Sequence, residues 1–528
     1  MKSRTILKSI RVIIAVLVII PFTFLFIDFA GFNLNSINWL AKIQLTPALM
    51  ATLAGISVGA GLILVFVLTL LFGRVYCSII CPLGIMQDGL RRFSNLFKSK
   101  KQKRQRYTTP LNIFRYSLLA LCAVLLIFTI LTQIVNFNLF LYLDPYSNFG
   151  RIAQNLVRPV YIEINNLLAG KLDNSSLYYV SINYQSLSFW FSFSALIIIA
   201  VFVFLCGRLI CNSICPVGAL LSLISRYSIF KLDFDKTKCN KCGLCEFKCK
   251  SQCINSKQQT LDFSRCVACY NCVSECKRDA MSYKFSWGTK TKKTQPEITI
   301  DNIVAEPVVN SRRRFLGTAL ATVGAVTMAY AQQNMARKGH TYTKDSPIAP
   351  PGAKSIAHLK KYCTACHLCV AQCPTQVIKP AFTEYGFSGL MLPRMDYTQS
   401  FCNFECTICS EVCPNEALQQ ITVETKRTLQ IGKVYFKRGL CVVVTDGTDC
   451  GACSEHCPTK AVDMVPYRDG LRIPEINQDI CIGCGGCEFI CPVRPLRAIY
   501  VDGNPVHEAA QKFEEEEKKD IQLDDFGF

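Results

Sequence analysis

The sequence predicts a multi-domain chain: an α-helical membrane bundle of four spans plus a fifth anchor, carrying small α+β domains built on cysteine quartets. Three observations carry this expectation. Half of the 528 residues are hydrophobic, and they gather in runs near the ~20 residues a helix needs to cross hydrocarbon. The 31 cysteines are spaced as metal ligands rather than as a disulfide framework. Between two groups of quartets stands Ser311-Arg312-Arg313-Arg314-Phe315-Leu316-Gly317, followed by an apolar run from Thr318 to Ala331. That twin-arginine pattern reads as an export signal used by proteins already folded around their cofactors. Its place in mid-chain predicts that the two groups of quartets lie on opposite faces of a membrane.

Residues 1–230 form the expected membrane domain. Its spans are Val12 to Ile27, Met50 to Phe72, Leu111 to Val135 and Leu187 to Cys206. The net charge of +20 does not point to nucleic acid. Much of it lies in Arg91, Arg92, Lys98, Lys100, Lys101, Lys103, Arg104 and Arg106, between two spans and without an acid among them. A run so placed obeys the positive-inside bias of cytoplasmic loops, and it also suits anionic lipid headgroups. With the basic N-terminus inside, the bacterial inner membrane is the expected location. Everything from the fourth span to the twin arginine is then cytoplasmic, and everything after the fifth crossing periplasmic.

An internal repeat ends the second and fourth spans. Gly73-Arg74-Val75-Tyr76-Cys77-Ser78-Ile79-Ile80-Cys81-Pro82-Leu83-Gly84 matches Gly207-Arg208-Leu209-Ile210-Cys211-Asn212-Ser213-Ile214-Cys215-Pro216-Val217-Gly218 at a constant offset. Two crossings separate the copies, so they point the same way, as in a parallel duplication. Cysteines at i and i+4 share a helix face. Two such pairs brought together present four thiols, Cys77, Cys81, Cys211 and Cys215, able to hold an iron–sulfur cluster or another soft metal. Arg74 and Arg208 favour the thiolates. The plain alternative is four small cysteines packed at helix ends beside a helix-ending proline. Packing alone accounts for Cys122 and Cys206.

Residues 231–285 carry Cys239, Cys242, Cys245, Cys249 and Cys266, Cys269, Cys272, Cys276 in the C-x2-C-x2-C-x3-C spacing of two-cluster bacterial ferredoxins. In that fold the fourth cysteine of each quartet serves the other cluster. Cys276 is therefore expected with Cys239, Cys242 and Cys245, and Cys249 with Cys266, Cys269 and Cys272. Lys250 and Lys277 stand where a proline usually follows, and Cys253 is an extra thiol. Four-cysteine zinc sites more often pair two C-x2-C clips across a longer gap.

A linker at 286–310, the signal or anchor at 311–331 and a second linker at 332–355 lead to an exported domain at 356–503 and an acidic tail at 504–528. Ala329-Tyr330-Ala331 has the form of a signal-peptidase site. The exported domain carries Cys363, Cys366, Cys369, Cys373; Cys402, Cys406, Cys409, Cys413; Cys441, Cys450, Cys453, Cys457; and Cys481, Cys484, Cys487, Cys491, each quartet closed by a proline. The second and third quartets widen their first gap. Cys363-Thr364-Ala365-Cys366-His367 also matches the haem-attachment pattern, but Cys369 and Cys373 complete a ferredoxin quartet around it. The expectation is six [4Fe–4S] clusters in bacterial ferredoxin-like domains, with the pairing of the last four quartets left open.

Residues 1–285 resemble the membrane ferredoxin of the periplasmic nitrate reductase system, the NapH type, in their four spans, two Cys-x3-Cys-Pro motifs and trailing ferredoxin. Residues 311–500 resemble its exported partner, the NapG type. The resemblance implies a fusion of the two acting as a quinol dehydrogenase. Such a chain takes electrons from the membrane quinone pool to a periplasmic reductase or c-type cytochrome. Asp28 and Asp144 are the candidate proton acceptors at a quinol site, with a loop or capping role as the alternative for each. A competing class is an accessory factor of the FixG type that reduces metal for cofactor maturation. A four-quartet exported domain is more than that task needs.

Overall fold

The computed structural model describes residues 2–28, 37–55, 59–99, 103–132, 142–171, 179–181, 185–286 and 344–512. The twin-arginine segment, the expected fifth crossing and the end of the acidic tail lie outside the described residues.

Among the described residues, three helices are long and apolar enough to cross a membrane: α1 (Lys2–Ile27), α6 (Asn112–Thr132) and α9 (Ser186–Cys206). Their outer faces are bare hydrocarbon, with Leu17 66%, Val124 62% and Leu131 76% exposed, a belt that only lipid or a partner would cover. The expected second span is divided into α2 (Leu45–Leu53) and α3 (Ala60–Phe72). Glycine explains the break. Gly55 sits at φ 74°, and a Cβ on Gly61 would lie 2.8 Å from the Lys42 carbonyl, where the two helices touch. Glycine weakens a helix interior by about 1 kcal/mol but permits that approach. At 13 residues, α3 is about 20 Å long, shorter than the hydrocarbon core.

After α3 the chain reverses at Gly73 (φ 75°), makes the short α4 (Tyr76–Ile79) and then α5 (Pro82–Leu96). Helical Tyr142 and Leu143 and the capping Asp144 lead into α7 (Pro145–Ile152), which runs on through a π-helical turn (Ala153–Val157) into α8 (Arg158–Ala169). The second copy repeats the first: α9 reverses at Gly207 (φ 66°), followed by α10 (Leu209–Ser213) and α11 (Pro216–Ser225). The repeat differs from its sequence-level reading in one respect. Each cysteine pair does not share one helix face. Cys77 and Cys211 lie within α4 and α10, while Cys81 and Cys215 are the N-cap residues of α5 and α11. The proline opens a helix at its first turn, where a missing N–H costs nothing, rather than closing one.

The first soluble unit is closed by β1 (Phe230–Phe234) against β2 (Met281–Phe285), antiparallel with Phe230 opposite Phe285. It seats on the ends of α3, α5 and α10. The Asp88 carboxylate, 6% exposed, gathers Arg11 at 2.8 Å from α1, Arg208 at 2.8 Å and Lys250 at 2.6 Å from the soluble unit. Lys250 thus stands in place of the usual proline because its ammonium and its carbonyl, bonded by the Arg208 N–H at 3.2 Å, both hold the membrane domain.

The last unit is larger than the sequence suggested. Residues 344–355 are packed, with Ile348, Ala349 and Ala353 buried. Part of the expected acidic tail is strand: β4 (Ile499–Ala509) pairs antiparallel with β3 (Leu429–Phe436), Val501 opposite Val434, with a bulge between Gly503 and Glu508. This unit sits at the other end of α1. Gln372 donates to the Leu25 carbonyl at 2.6 Å, Asn38 to the Glu411 carbonyl at 3.0 Å and Gln185 to the Pro380 carbonyl at 2.9 Å. Arg11 and Leu25 are 14 residues apart, about 21 Å along the helix.

Asp88→Asn leaves three buried cations facing one amide. Breaking a buried ion network in this way costs about 3–5 kcal/mol, and limited proteolysis should release residues 230–286 from variant membranes far faster than from wild type.

Candidate iron–sulfur sites

Every cysteine lies among the described residues, and none is in a disulfide. The thiols act on one another electrostatically in groups of four. Those acting on Cys245 are Cys239, Cys242 and Cys276, and those on Cys272 include Cys269, Cys266 and Cys249. Cys369 stands with Cys363, Cys366 and Cys413, and Cys409 with Cys402, Cys373 and Cys406. Cys453 stands with Cys450, Cys441 and Cys491, and Cys487 with Cys484, Cys481 and Cys457. In each pair of quartets the fourth cysteine crosses to the other group. The pairings among the last four quartets, open at the sequence level, are therefore first with second and third with fourth.

The backbone explains why these loops wrap a cluster. In the four quartets with strict spacing the third and fifth residues are left-handed: Lys241 and Gly243, Ala268 and Tyr270, Ala365 and His367, Gly483 and Gly485. Non-glycine residues rarely take that conformation, and here it turns N–H groups toward sulfur. Lys241, Ala268 and Ala365 donate to the Sγ of Cys239, Cys266 and Cys363 at 3.3, 3.4 and 3.4 Å. Three residues past the fourth cysteine another left-handed residue recurs, at Gln252, Asp279, Gln376, Glu416 and Lys460. It recurs after Cys249 and Cys276 as well, so the turn does not need the proline. The widened quartets beginning at Cys402 and Cys441 lack the paired left-handed residues in their first loops. Burial pushes the Cys245 thiol up to about 11 and Cys484 up to about 12. Without iron these sulfurs keep their protons, and cluster binding releases them. The soft thiolate set with N–H donors to sulfur suits [4Fe–4S] clusters. Cys253, whose sequence role was open, lies 3.6 Å from Cys249 Sγ to Sγ, a fifth thiol beside the second group.

His367 does not serve a haem. It is buried, which pulls it down to about 3, and it is wedged between the units. Its Nε2 faces the Met391 carbonyl at 3.0 Å and its Nδ1 the Asn155 amide at 3.4 Å.

The repeat brings a further four thiols together inside the membrane domain: Cys77, Cys211 and Cys215 all act on Cys81. Each arginine reaches across to the other copy. Arg74 donates to the Cys211 carbonyl at 3.0 Å and lies 3.8 Å from the Cys77 sulfur, and Arg208 donates to the Cys77 carbonyl at 2.8 Å. The carbonyls of Gly84 and Gly218 are held alike, by Arg208 at 2.8 Å and Arg115 at 2.9 Å. The two glycines are steric necessities. A Cβ on Gly84 would meet the Cys77 carbonyl at 2.3 Å, and one on Gly218 the Cys211 carbonyl at 2.1 Å. All four sulfurs line one apolar cavity of about 260 Å³, together with Gln87, Tyr142, Asn148 and the Ile198–Ile199–Phe202 face of α9.

This site is tied to both soluble units. Arg74 also donates to the Ser264 carbonyl at 3.3 Å, and Asn212 to the Ser251 carbonyl at 3.2 Å, both in the first unit. On the other side Tyr146 and Phe149 pack on Phe22 with ring centroids 5.8 and 5.6 Å away, and the Cys366 carbonyl lies against Gly150. One continuous apolar cluster contains Cys269, then Cys77, Cys81 and Cys215, then Cys366.

The two quinol candidates have different surroundings. Asp144 is a helix cap: its carboxylate accepts the Ser147 N–H and hydroxyl at 2.7 Å each and the Thr46 hydroxyl. Asp28, 1% exposed, ends α1 and acts electrostatically on Arg158 and Tyr161, and Arg158 also senses Cys373. Asp88, Gly84 and Gly218 were not singled out from sequence as functional. The glycines are visible there as matched ends of the repeat, whereas Asp88 has Ser222 at the corresponding place in the second copy.

The family description "4Fe-4S binding domain" matches residues 54–104 and 187–236, the two copies of the repeat, and "4Fe-4S dicluster domain" descriptions match 262–377 and 448–494. Uncharacterized protein MJ0750 of Methanocaldococcus jannaschii is 31% identical over 43% of this chain and 79% of its own. Ferredoxin-type protein NapH of Escherichia coli K12 is 26% identical over 44% of this chain and 69% of its own, and NapG of the same organism 29% over 34% and 81%. No solved structure matches.

Gly218→Ala should abolish metal binding at the membrane thiols while leaving the ferredoxin quartets loaded. Iron content of anaerobically purified protein should fall by one site's worth, with soluble-cluster absorbance retained. On these findings the chain belongs to the family of MJ0750 and is an iron–sulfur electron-transfer protein related to the ferredoxin-type proteins NapG and NapH.

Proposed function

We propose that the chain is a multi-pass quinol dehydrogenase of the bacterial inner membrane. Membrane quinol feeds electrons into a chain of six [4Fe–4S] clusters and a seventh centre on Cys77, Cys81, Cys211 and Cys215, and a periplasmic reductase or c-type cytochrome receives them from the last unit. One observation supports this above the others. The membrane thiols lie in one apolar cluster between a ferredoxin-like unit at the Arg11 end of α1 and a four-quartet unit at its Leu25 end. Carriers so placed divide a long transfer into short ones.

The quinol head belongs in a small cavity between the π-helical turn, α9 and the last unit, lined by Gln154, Arg158 and Phe189. Asp28 acts electrostatically on that Arg158. The buried Gln154 Oε1 and Arg158 Nε have no hydrogen-bond partner among the described residues. Buried polar atoms left unpaired are costly, and two quinol hydroxyls would satisfy them. π-helical turns of this kind occur often at functional sites. Asp28 is then the proton acceptor as electrons pass to the group that includes Cys373. When bound, the clusters supply one-electron chemistry. The chain's own residues position the quinol, exclude water and take its protons.

Purified anaerobically from membranes, the protein should hold about 24 irons from its six ferredoxin quartets, more with the membrane site. A reduced quinol analogue should bleach its cluster absorbance. Asp28→Asn should slow that bleaching by about 10²–10⁴, the range of a positioned base, with the iron count unchanged. Stoichiometric zinc, or no response of wild type to quinol, sinks the proposal.

A further inference from the structure

Of the 31 cysteines, Cys242 alone is exposed. It lines a cavity of about 760 Å³ where the first soluble unit meets the ends of α1 and α5. Eight cationic side chains and two carboxylates line that cavity, and one of the carboxylates, Asp88, is already held by three cations. Arg92, Lys103 and Arg104 border it from the membrane domain and Lys248 from the soluble unit, all exposed, with exposed Lys241 next to Cys242 in the chain. The cations continue from the helix ends onto the soluble unit and surround the one solvent-facing cluster ligand.

We propose that this basic cavity is the docking site of a small acidic electron-carrier protein, which exchanges single electrons with the cluster held by Cys239, Cys242, Cys245 and Cys276. The proposal rests on the electron-transfer reading above and adds a second terminal to it, at the end of the chain's path away from the quinol cavity. Charge complementarity selects the partner. A cleft lined by one sign of charge raises the on-rate of an opposite charge by 10–10³, an effect that salt removes. A one-electron iron–sulfur donor suits a one-electron carrier. The step is a plain exchange: the carrier's centre is oxidised by one electron and the cluster reduced by one, or the reverse, with no proton or bond moved. A membrane surface would draw on the helix-end cations alone and leaves the lysines around Cys242 unexplained.

The test uses the full chain, anaerobic, in neutral-lipid nanodiscs, with a reduced acidic [2Fe–2S] ferredoxin as probe and stopped-flow bleaching as readout. The bleaching rate should fall steeply with ionic strength. The triple variant Arg92→Glu, Lys103→Glu and Lys248→Glu should lose at least about tenfold in rate at low salt. Bleaching by photoreduced deazariboflavin, a small carrier without net charge, should be unchanged in that variant. Equal rates for wild type and variant overturn the proposal, as does equal reactivity toward a basic cytochrome. So does charge-dependent binding of anionic vesicles with an unaltered ferredoxin rate, which assigns the cavity to lipid. Failure of the deazaflavin itself to bleach wild type would instead count against the electron-transfer reading.

Discussion

Two buried arginines hold the structure's centre. Arg74 is 0% and Arg208 2% exposed, and each spends its donors on the opposite copy of the repeat. The cost of burying a guanidinium is large unless it is paired and hydrogen-bonded. Arg208 meets that condition with Asp88 and two carbonyls, whereas Arg74 bonds Asn212 and the Ser264 and Cys211 carbonyls but has no carboxylate partner among the described residues, and its Nε has no hydrogen-bond partner there. These bonds do three jobs together. They join the two copies, place the four thiols around one cavity, and bind the first ferredoxin-like unit to the bundle. A bundle of apolar helices in lipid has little hydrophobic drive to choose one packing, so such polar links specify it.

The same logic explains how the last unit finds its seat. Its contacts with the bundle are mostly side-chain amides on backbone carbonyls, together with the aromatic group of Phe22, Phe26, Tyr146 and Phe149. Rings of this size give area and geometry at small entropic cost. They also fill the space between the membrane thiols and Cys366 with closely packed matter. Burial of the thiols has a parallel consequence. Thiols such as Cys245 and Cys484, raised by burial, give up their protons when iron loads.

Much of this was legible in the sequence because ligand spacing is a local property. The quartet spacings and three of the spans are read from residues within about twenty positions of one another, and the repeat from a match at one constant offset. What was hidden is what depends on distant residues. The expected second span, Met50 to Phe72, ran through Gly55, Gly59 and Gly61, and the break there depends on how α2 meets α3. The pairing of Cys373 with the 402–409 group needs the turn at Gln376, and Lys250 made sense only beside Asp88. The i, i+4 reading of Cys77 and Cys81 differs from the structure, since the chain breaks its helix between them, although both residues line the same cavity. Asp144 resolved toward the capping role that had been its alternative.

The central claim is that one chain conducts electrons between two ferredoxin-like units through the thiols of its membrane repeat. The direct measurement is on sealed vesicles holding the full chain, with a membrane-impermeant reductant outside and an impermeant acceptor trapped inside. Wild type should reduce the trapped acceptor, and Cys81→Ala should not, although its soluble clusters still bleach. Reduction of the acceptor at equal rates by the Cys81→Ala chain, or none by wild type with all clusters loaded, would contradict the account.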